Sequence, residues 1–312
     1  MPRILFAAKP EQWPAYETPL ATALAEAGID AEIVHPGADP ASIDYIVYTP
    51  FGPVQDFTPY TRTKAVLSLW AGVERIVGNE TLTQPLCRMV DEGLERGMVE
   101  WVTGHTLRYH LGIDFYRTHQ DGVWRQGEQV PPLAPDRSVV ILGLGALGAA
   151  CAKALAGLGF KVTGWSRTPK TLEGIDCVHG AEGLKMALER AEILATILPN
   201  TPETTNLLNA ESLARMPKGA VILNPGRGNV IDDDALLAAL DAGQIGGATL
   251  DVFKTEPLPA DHPYWAHPKV TVTPHIAAET RPASAARVIA ENIRRGEAGE
   301  PFLFRVDRAQ GY

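Results

Sequence analysis

Short apolar runs alternate with longer stretches of helical periodicity along most of the chain. This alternation is typical of successive strand–helix units and predicts parallel sheets covered by helices. In the first hundred residues, the apolar runs predict strands at 3–7, 31–34, 45–48 and 65–69. The periodicity between them predicts a helix at 18–27, which Gly28 would end, and a longer helix at about 92–116.

A proline-rich connection separates this series from a second one. Residues 126–135 contain three prolines, which fix φ and lack an N–H group, so they predict a loop. From Ser138 onward, the apolar runs predict strands at 139–142, 161–165, 193–198, 220–224, 248–252 and 270–273. A final helix is predicted from Pro282, a favourable first-turn residue, to about 295. The predicted fold class is α/β, with doubly wound parallel sheets.

Length, charge and cysteine content remove several classes of function. A chain of 312 residues is long for one core and predicts two domains. Its net charge of −9 argues against nucleic acid or membrane surfaces as partners, because these attract positive proteins. Three cysteines without C-x-x-C spacing predict neither a disulfide framework nor a zinc site. The N-terminal apolar run at 4–8 is too short for a signal peptide, so a cytoplasmic protein is expected.

A glycine motif predicts a dinucleotide site. Residues 139–148 combine an apolar strand with G-x-G-x-x-G, and a helix is predicted directly afterwards, at 149–158. The first glycine permits a tight turn, the second lets a pyrophosphate approach the backbone, and the third lets the helix pack on the strand. The helix N-terminus then offers free N–H groups to the phosphates. A glycine-rich turn of an unrelated domain is the alternative, which this strand–helix context disfavours. The predicted cofactor-binding residues are Gly143, Gly145, Ala146, Leu147 and Gly148.

The end of the next strand bears on the choice between NAD and NADP. An NAD site normally has a carboxylate here for the ribose hydroxyls. In this chain, the first acidic residue after the strand predicted at 161–165 is Glu173. Ser166 and Thr168 supply hydroxyl groups instead, and Arg167 and Lys170 supply positive charge. A guanidinium can pair bidentately with a 2′-phosphate. We therefore predict that NADP(H) is preferred, with NAD(H) possible; the alternative for Arg167 is a solvated loop charge.

Three polar side chains each follow one of the later predicted strands. They are Arg227, Glu256 and His275. Because ligands of doubly wound sheets bind at the carboxyl ends of the strands, these positions are where chemistry is expected. An isolated charge on a loop is more often a surface residue, but three in succession after a dinucleotide motif favour a catalytic site. No histidine has the spacing of a metal ligand.

Taken in order, these motifs resemble the D-isomer-specific 2-hydroxyacid dehydrogenases, and most of all their glyoxylate/hydroxypyruvate reductase branch. The family motifs match at 71–73, 143–148, 198–204, 224–228, 251–253, 256–259 and 273–277, and the branch resemblance comes from 165–168, 281–282 and 306–312. The resemblance implies hydride transfer between a nicotinamide coenzyme and a small 2-keto or 2-hydroxy acid, with glyoxylate and hydroxypyruvate as the expected substrates.

The resemblance also implies roles for the three polar residues. His275 would be the general acid that protonates the keto oxygen, since an imidazole with its ordinary pKa of about 6.5 exchanges protons near neutrality. Glu256 would orient the imidazole and favour its protonated form. Arg227 would bind the substrate carboxylate and polarise the carbonyl group.

Further binding residues follow from the same resemblance. The backbone N–H groups of Ala71, Gly72 and Val73 would bind the substrate carboxylate. Asp251 would meet the nicotinamide carboxamide. The remaining implied cofactor contacts are Pro199, Thr204 and Pro225. Pro225 departs from the family pattern, in which small residues such as Ala are more usual, and it has no N–H group to offer the cofactor.

The implied architecture has two Rossmann-like domains with the active site in the cleft between them. A discontinuous substrate-binding domain would comprise 1–99 and 278–312, and the dinucleotide-binding domain would be 100–277. A homodimer formed through the dinucleotide domain is expected. Two alternatives stay open: an NAD-dependent relative acting on phosphoglycerate, lactate or formate, and a dinucleotide-sensing binding protein of the corepressor type.

Overall fold

The computed structural model describes residues 1–308. Within that range the chain forms twelve strands and eight α-helices. The strands are β1 (Arg3–Ala7), β2 (Glu32–Val34), β3 (Tyr45–Tyr48), β4 (Ala65–Ser68), β5 (Leu86–Cys87), β6 (Ser138–Leu142), β7 (Lys161–Ser166), β8 (Asp176–His179), β9 (Ile193–Thr196), β10 (Ala220–Asn224), β11 (Ile245–Leu250) and β12 (Val270–Val272). The helices are α1 (Trp13–Glu26), α2 (Glu92–His110), α3 (Ile113–Thr118), α4 (Ala146–Gly157), α5 (Gly180–Arg190), α6 (Ala210–Arg215), α7 (Asp233–Asp241) and α8 (Pro282–Ala298).

The backbone divides into two compact units. Unit 1 contains Met1–Leu94 and the segment from Thr280, and unit 2 is Glu95–Glu279. Unit 1 has a five-stranded sheet in the order β2-β1-β3-β4-β5, and unit 2 has a seven-stranded sheet in the order β12-β11-β10-β9-β6-β7-β8. All the strand pairs are parallel. The predicted α/β class with doubly wound parallel sheets is confirmed.

The core of unit 1 is built on strands that are buried along their whole length. Every residue of β3 and β4 is buried, as expected for parallel strands with both faces covered. Helices α1 and α8 pack against each other. The hydroxyl of Tyr45 on β3 donates to Glu297 Oε1 on α8 at 2.8 Å, which ties the helix to the sheet.

In unit 2, alternate residues of the central strand enter two different cores. Val140 and Leu142 of β6 belong to one buried cluster, whereas Val139 and Ile141 belong to the other. This two-residue alternation places one core on each face of the sheet. Strand β6 lies between β7 and β9, where the direction of chain winding reverses. Doubly wound sheets bind their ligands at the carboxyl end of this position.

Several element boundaries differ from the sequence expectation. The helix expected at about 92–116 is two helices, because Gly112 adopts φ 62° between α2 and α3. Strand β11 runs from Ile245 to Leu250 rather than from 248 to 252, because Ile245 and Gly247 already pair with β10. A Cβ on Gly246 would lie 2.5 Å from the carbonyl oxygen of Gly219, and one on Gly247 would lie 3.0 Å from Tyr109 Cε1. Strands β5 and β8 were not expected.

The remaining differences lie at the ends of elements. Helix α1 begins at Trp13, five residues before its predicted start at 18, and α8 continues to Ala298. Helix α4 begins at Ala146, inside the glycine motif, rather than at 149. Strand β9 ends at Thr196, before the predicted 198. Domain boundaries were predicted at 99/100 and 277/278, and the boundaries of the two units lie at 94/95 and 279/280. The assignment of substrate to one unit and coenzyme to the other stays a prediction.

Candidate active site

The glycine motif forms the tight connection between β6 and α4. Gly143 has φ +101°, a conformation that residues with a side chain rarely adopt, and its N–H donates to the carbonyl of Trp165 at 2.9 Å. A Cβ on Gly148 would lie 1.8 Å from the carbonyl oxygen of Gly143, so the third glycine lets the helix begin directly against the loop. A Cβ on Gly145 would have no described neighbour within 4 Å. The space over the second glycine is therefore open to a ligand.

Helix α4 has no side-chain cap at its N-terminus. Its N-cap residue is Gly145, so no side chain competes for the N–H groups of the first turn, which include those of Ala146 and Leu147. These groups and the positive end of the helix dipole suit a phosphate oxygen. The geometry of the motif therefore fits a dinucleotide pyrophosphate.

The loop after β7 is folded back on itself and tied to the glycine motif. Ser166 Oγ donates to the carbonyl of Thr168 at 2.8 Å, and Lys170 Nζ donates to the carbonyl of Leu144 at 2.6 Å. Lys170 thus brings a positive charge to the residue between the first two glycines. Arg167 lies near enough to Glu203 to help lower the pKa of that carboxyl, which is lowered mainly by hydrogen bonds from its own backbone and from Thr201.

The hydroxyl of Thr204 closes a turn in the segment after β9. Its Oγ1 donates to the carbonyl of Pro199 at 2.7 Å and accepts from the N–H of Thr201 at 2.9 Å. The side chain therefore stabilises the turn itself. A cofactor contact from Thr204 or Pro199 stays a prediction.

Arg227 is held by a turn that Asn224 organises. Asn224 is 1% exposed; its Oδ1 accepts from the N–H of Gly226 at 3.2 Å, and its Nδ2 donates to the carbonyl of Arg227 at 3.1 Å. Arg227 Nη1 donates to the carbonyl of Gly226 at 2.7 Å. Pro225, between them, is buried in this turn. Asn224 was not predicted as a site residue, although an amide side chain at a strand end can signal such a turn.

The turn of Arg227 packs directly on the segment that leads to Glu256. A Cβ on Gly228 would lie 2.1 Å from the carbonyl carbon of Phe253. The N–H of Phe253 donates to Glu256 Oε1 at 2.9 Å, which orients the carboxylate. The contact between these two loops brings the Arg227 guanidinium and the Glu256 carboxylate into the same region of unit 2. The charge of Arg227 accordingly contributes to lowering the pKa of Glu256.

His275 and Glu256 form a hydrogen-bonded pair. The distance between His275 Nδ1 and Glu256 Oε2 is 2.8 Å. Because an ionised carboxylate can only accept, Nδ1 carries the hydrogen, and Nε2 is left for proton exchange. Burial alone raises the pKa of Glu256, but the hydrogen bonds from His275 and Phe253 outweigh it, so the pKa is lowered. Glu256 therefore remains ionised throughout the neutral range.

The backbone of His275 is held by the buried carboxylate of Asp251. His275 has φ 57°, which is uncommon for a residue with a side chain. Asp251 is 0% exposed; its Oδ1 accepts from the Ile276 N–H at 2.9 Å and from Thr273 Oγ1 at 2.5 Å, and its Oδ2 accepts from the Ala277 N–H at 2.9 Å. Its carbonyl accepts from the His275 N–H at 2.8 Å. Asp251 thus orients the histidine loop, a role that the sequence did not indicate, and its nicotinamide contact stays a prediction.

The segment 71–73 lies after β4, at the carboxyl edge of the sheet of unit 1. The preceding residue is fixed, because the Trp70 N–H donates to Ser68 Oγ at 3.0 Å and its carbonyl accepts from the Met89 N–H at 2.9 Å. Among the hydrogen bonds of residues 1–308, the N–H groups of Ala71, Gly72 and Val73 have no acceptor. Three consecutive free donors suit a carboxylate.

Neither a metal cluster nor a membrane span is found in the described part of the chain. Within residues 1–308, no group of three or more His, Cys, Asp or Glu side chains could hold a metal ion. In the same range, every helix is too short or too polar to cross a bilayer.

Comparison with known proteins identifies the family. The model of the D-isomer specific 2-hydroxyacid dehydrogenase NAD binding domain matches residues 108–277. Glyoxylate/hydroxypyruvate reductase A of Serratia proteamaculans (strain 568) is 40% identical over 289 residues, which cover 89% of this chain and 90% of that protein. The chain belongs to the D-isomer specific 2-hydroxyacid dehydrogenase family, as the sequence motifs predicted, and it is an NAD(P)-dependent enzyme of that family.

Solved structures of relatives agree with this assignment along the whole chain. A D-isomer specific 2-hydroxyacid dehydrogenase from Xanthobacter autotrophicus Py2, in complex with NADPH and MES, has a TM-score of 0.91 at 41% identity, covering 100% of this chain and 99% of that one. An NADPH-dependent glyoxylate/hydroxypyruvate reductase from Sinorhizobium meliloti, in complex with NADP and sulfate, has a TM-score of 0.89 at 32% identity, covering 100% of both chains.

The close approach at Gly148 leads to a first prediction. We expect Gly148→Ala to raise the coenzyme Kd about tenfold or more, since forcing a methyl group into a packed backbone contact costs about 1–3 kcal/mol. Fluorescence titration with NADPH measures this. Gly157→Ala is the matched control, because it lies in the same helix with open space around its Cβ. Unchanged coenzyme affinity in Gly148→Ala would contradict the role given to this glycine.

The His275–Glu256 pair leads to a second prediction, about activity. If His275 gives the proton, the carboxylate hydrogen-bonded to its Nδ1 keeps the ring oriented for the transfer. In Glu256→Gln, we expect kcat/KM at pH 7 to drop about tenfold or more, with the coenzyme Kd near the wild-type value. Glu291→Gln, which removes an acid of α8, serves as the control. A wild-type value of kcat/KM in Glu256→Gln would refute the pairing as a catalytic device.

Proposed function

We propose that this enzyme reduces a small 2-keto acid, with glyoxylate and hydroxypyruvate as its substrates, to the 2-hydroxy acid at the expense of NADPH. The observation that carries the proposal is the His275–Glu256 pair at 2.8 Å, next to the Arg227 turn and at the carboxyl edge of a sheet with a dinucleotide motif. The names of the Serratia and Sinorhizobium relatives support the choice of substrates.

Each unit carries its own group suited to a carboxylate: Arg227 in unit 2, and the free amides of residues 71–73 in unit 1. A guanidinium presents a planar fork of donors that can bind a carboxylate and stabilise charge developing on a carbonyl oxygen. The N–H groups of Ala71, Gly72 and Val73 would bind the substrate carboxylate. The nicotinamide coenzyme, when bound, supplies the hydride that the carbonyl carbon receives.

His275 supplies the proton. Its Nε2–H would protonate the keto oxygen as the carbonyl carbon is reduced, leaving a neutral imidazole with its hydrogen on Nδ1. Glu256 stabilises the imidazolium before transfer and keeps the ring oriented through the Nδ1 hydrogen bond. The imidazole side chain is 49% exposed, so water can return the proton after each turnover.

The loop after β7 supports NADPH as the preferred coenzyme. No carboxylate occurs between the end of β7 and Glu173, and Arg167 and Lys170 bring two positive charges to this loop. Glu203, which lies near Arg167, is the acid that a 2′-phosphate would have to displace or avoid.

Coenzyme preference provides the third prediction. We expect wild-type kcat/KM to be higher with NADPH than with NADH, and Arg167→Gln to reduce that ratio about tenfold, since a hydrogen bond between charged groups contributes about 1.5–3 kcal/mol. Steady-state assays at 340 nm measure it. Arg190→Gln is the matched control, because Arg190 pairs with Asp176 on β8. A clear preference of the wild type for NADH would overturn the assignment.

An exposed apolar segment supports a homodimer formed through unit 2. Residues 111–133 expose several large apolar side chains, and Trp124 is 89% exposed. The exposed set is Leu111, Ile113, Val123, Trp124, Val130 and Leu133. Monomeric proteins rarely leave such apolar groups together in water.

Oligomeric state provides the fourth prediction. We expect the wild type to be a dimer, and Trp124→Lys to weaken it about tenfold or more, because buried tryptophans dominate interface energies. Analytical ultracentrifugation over a concentration series measures this. Met186→Lys is the control, since Met186 is an exposed apolar residue of α5, outside the segment. A wild type that stays monomeric at all concentrations would contradict the dimer.

A further inference from the structure

Two positive charges and two aromatic rings meet at the carboxyl edge of the sheet of unit 1. They come from three different loops: Lys9 follows β1, Phe51 follows β3, and Trp70 and Arg75 follow β4. Arg75 Cζ lies 4.8 Å from the centroid of the Phe51 ring, and Lys9 Nζ lies 5.4 Å from it. The Phe51 and Trp70 rings are in edge contact at 5.6 Å. We call these four residues the cationic cluster.

The loops that carry the cluster are fixed. A Cβ on Gly52 would lie 2.0 Å from the carbonyl oxygen of Ala7, so the turn of Phe51 packs directly on the end of β1. Gln55 Nε2 donates to the carbonyls of Pro50 at 3.2 Å and Gly52 at 2.9 Å, which closes that turn. The turn that carries the Phe51 ring is therefore fixed, and cation–π attraction draws the two charged groups towards the ring.

The two cations of the cluster form no salt bridge within the described part of unit 1. Among the salt bridges of residues 1–308, none involves Lys9 or Arg75. This is notable in a chain of net charge −9. The cluster also brackets the segment 71–73, since Trp70 precedes it and Arg75 follows it closely. The free amides proposed to bind the substrate carboxylate thus lie within a loop that carries additional cations.

We propose that Lys9 and Arg75 recognise a second anionic group on the substrate, so that the enzyme favours 2-keto dicarboxylic acids over monocarboxylic acids of equal length. This inference rests on the proposed function, because it assumes that the segment 71–73 binds the 2-carboxylate. One carboxylate occupies the amides, and the guanidinium and ammonium groups pair with the other. The Phe51 and Trp70 rings contact the carbon chain between them.

The experiment compares acids matched in length. We would measure kcat/KM with NADPH for oxaloacetate against 2-ketobutyrate, and for 2-ketoglutarate against 2-ketovalerate, with glyoxylate as reference. The wild type is expected to favour the dicarboxylic member of at least one pair about tenfold. Lys9→Met and Arg75→Met should each lower that ratio about fivefold, and Arg75→Lys should keep most of it. Lys218→Met, an exposed lysine of unit 2, is the charge control and should leave the ratio at its wild-type value.

The outcomes separate this inference from the proposed function. Reduction of glyoxylate without preference for a dicarboxylic acid, or a ratio that Lys9→Met and Arg75→Met leave unaltered, overturns the cationic cluster as a specificity site. An equal fall for both members of a pair also overturns it, because the cations would then act on the shared 2-carboxylate. A wild type that reduces none of these acids contradicts the proposed function itself.

Discussion

The buried carboxylate of Asp251 is the constraint on which the arrangement of the site depends. It accepts hydrogen bonds from the N–H groups of Ile276 and Ala277 and from the Thr273 hydroxyl, and so fixes the backbone on both sides of His275. A charged acceptor strengthens such bonds, and its removal would leave one buried and two partly buried donors without their partner. The left-handed backbone of His275 persists because these bonds determine it, and that conformation presents the imidazole to Glu256.

The parallel topology explains why distant residues converge. Strands β10, β11 and β12 are neighbours, and the loops after their carboxyl ends carry Arg227, Glu256 and His275 respectively. Each loop is then fixed on the next: Gly228 allows backbone contact with Phe253, and the N–H of Phe253 orients the carboxylate that holds the imidazole. The chemistry therefore depends on loop packing as much as on the three side chains.

Features with a local pattern could be predicted from the sequence, whereas features that depend on contacts between loops could not. The glycine turn and the strand-end positions of Arg227, Glu256 and His275 could be predicted, because motif spacing and strand ends are visible in the chain; the catalytic roles of the three residues stay a prediction. The two-residue strand β5 and the exposed edge strand β8 have too little apolar pattern to be seen. The turn made by Asn224 and the cationic cluster appear only when separate loops are placed side by side.

In the proposed reaction, the histidine held by Asp251 and Glu256 transfers the proton. The most direct test is the single-turnover rate of NADPH oxidation with glyoxylate in His275→Gln, measured by stopped flow beside the NADPH Kd. This role predicts a rate lower by about 100-fold or more with NADPH affinity near the wild-type value, as expected when a general acid is lost. A rate close to that of the wild type would contradict it.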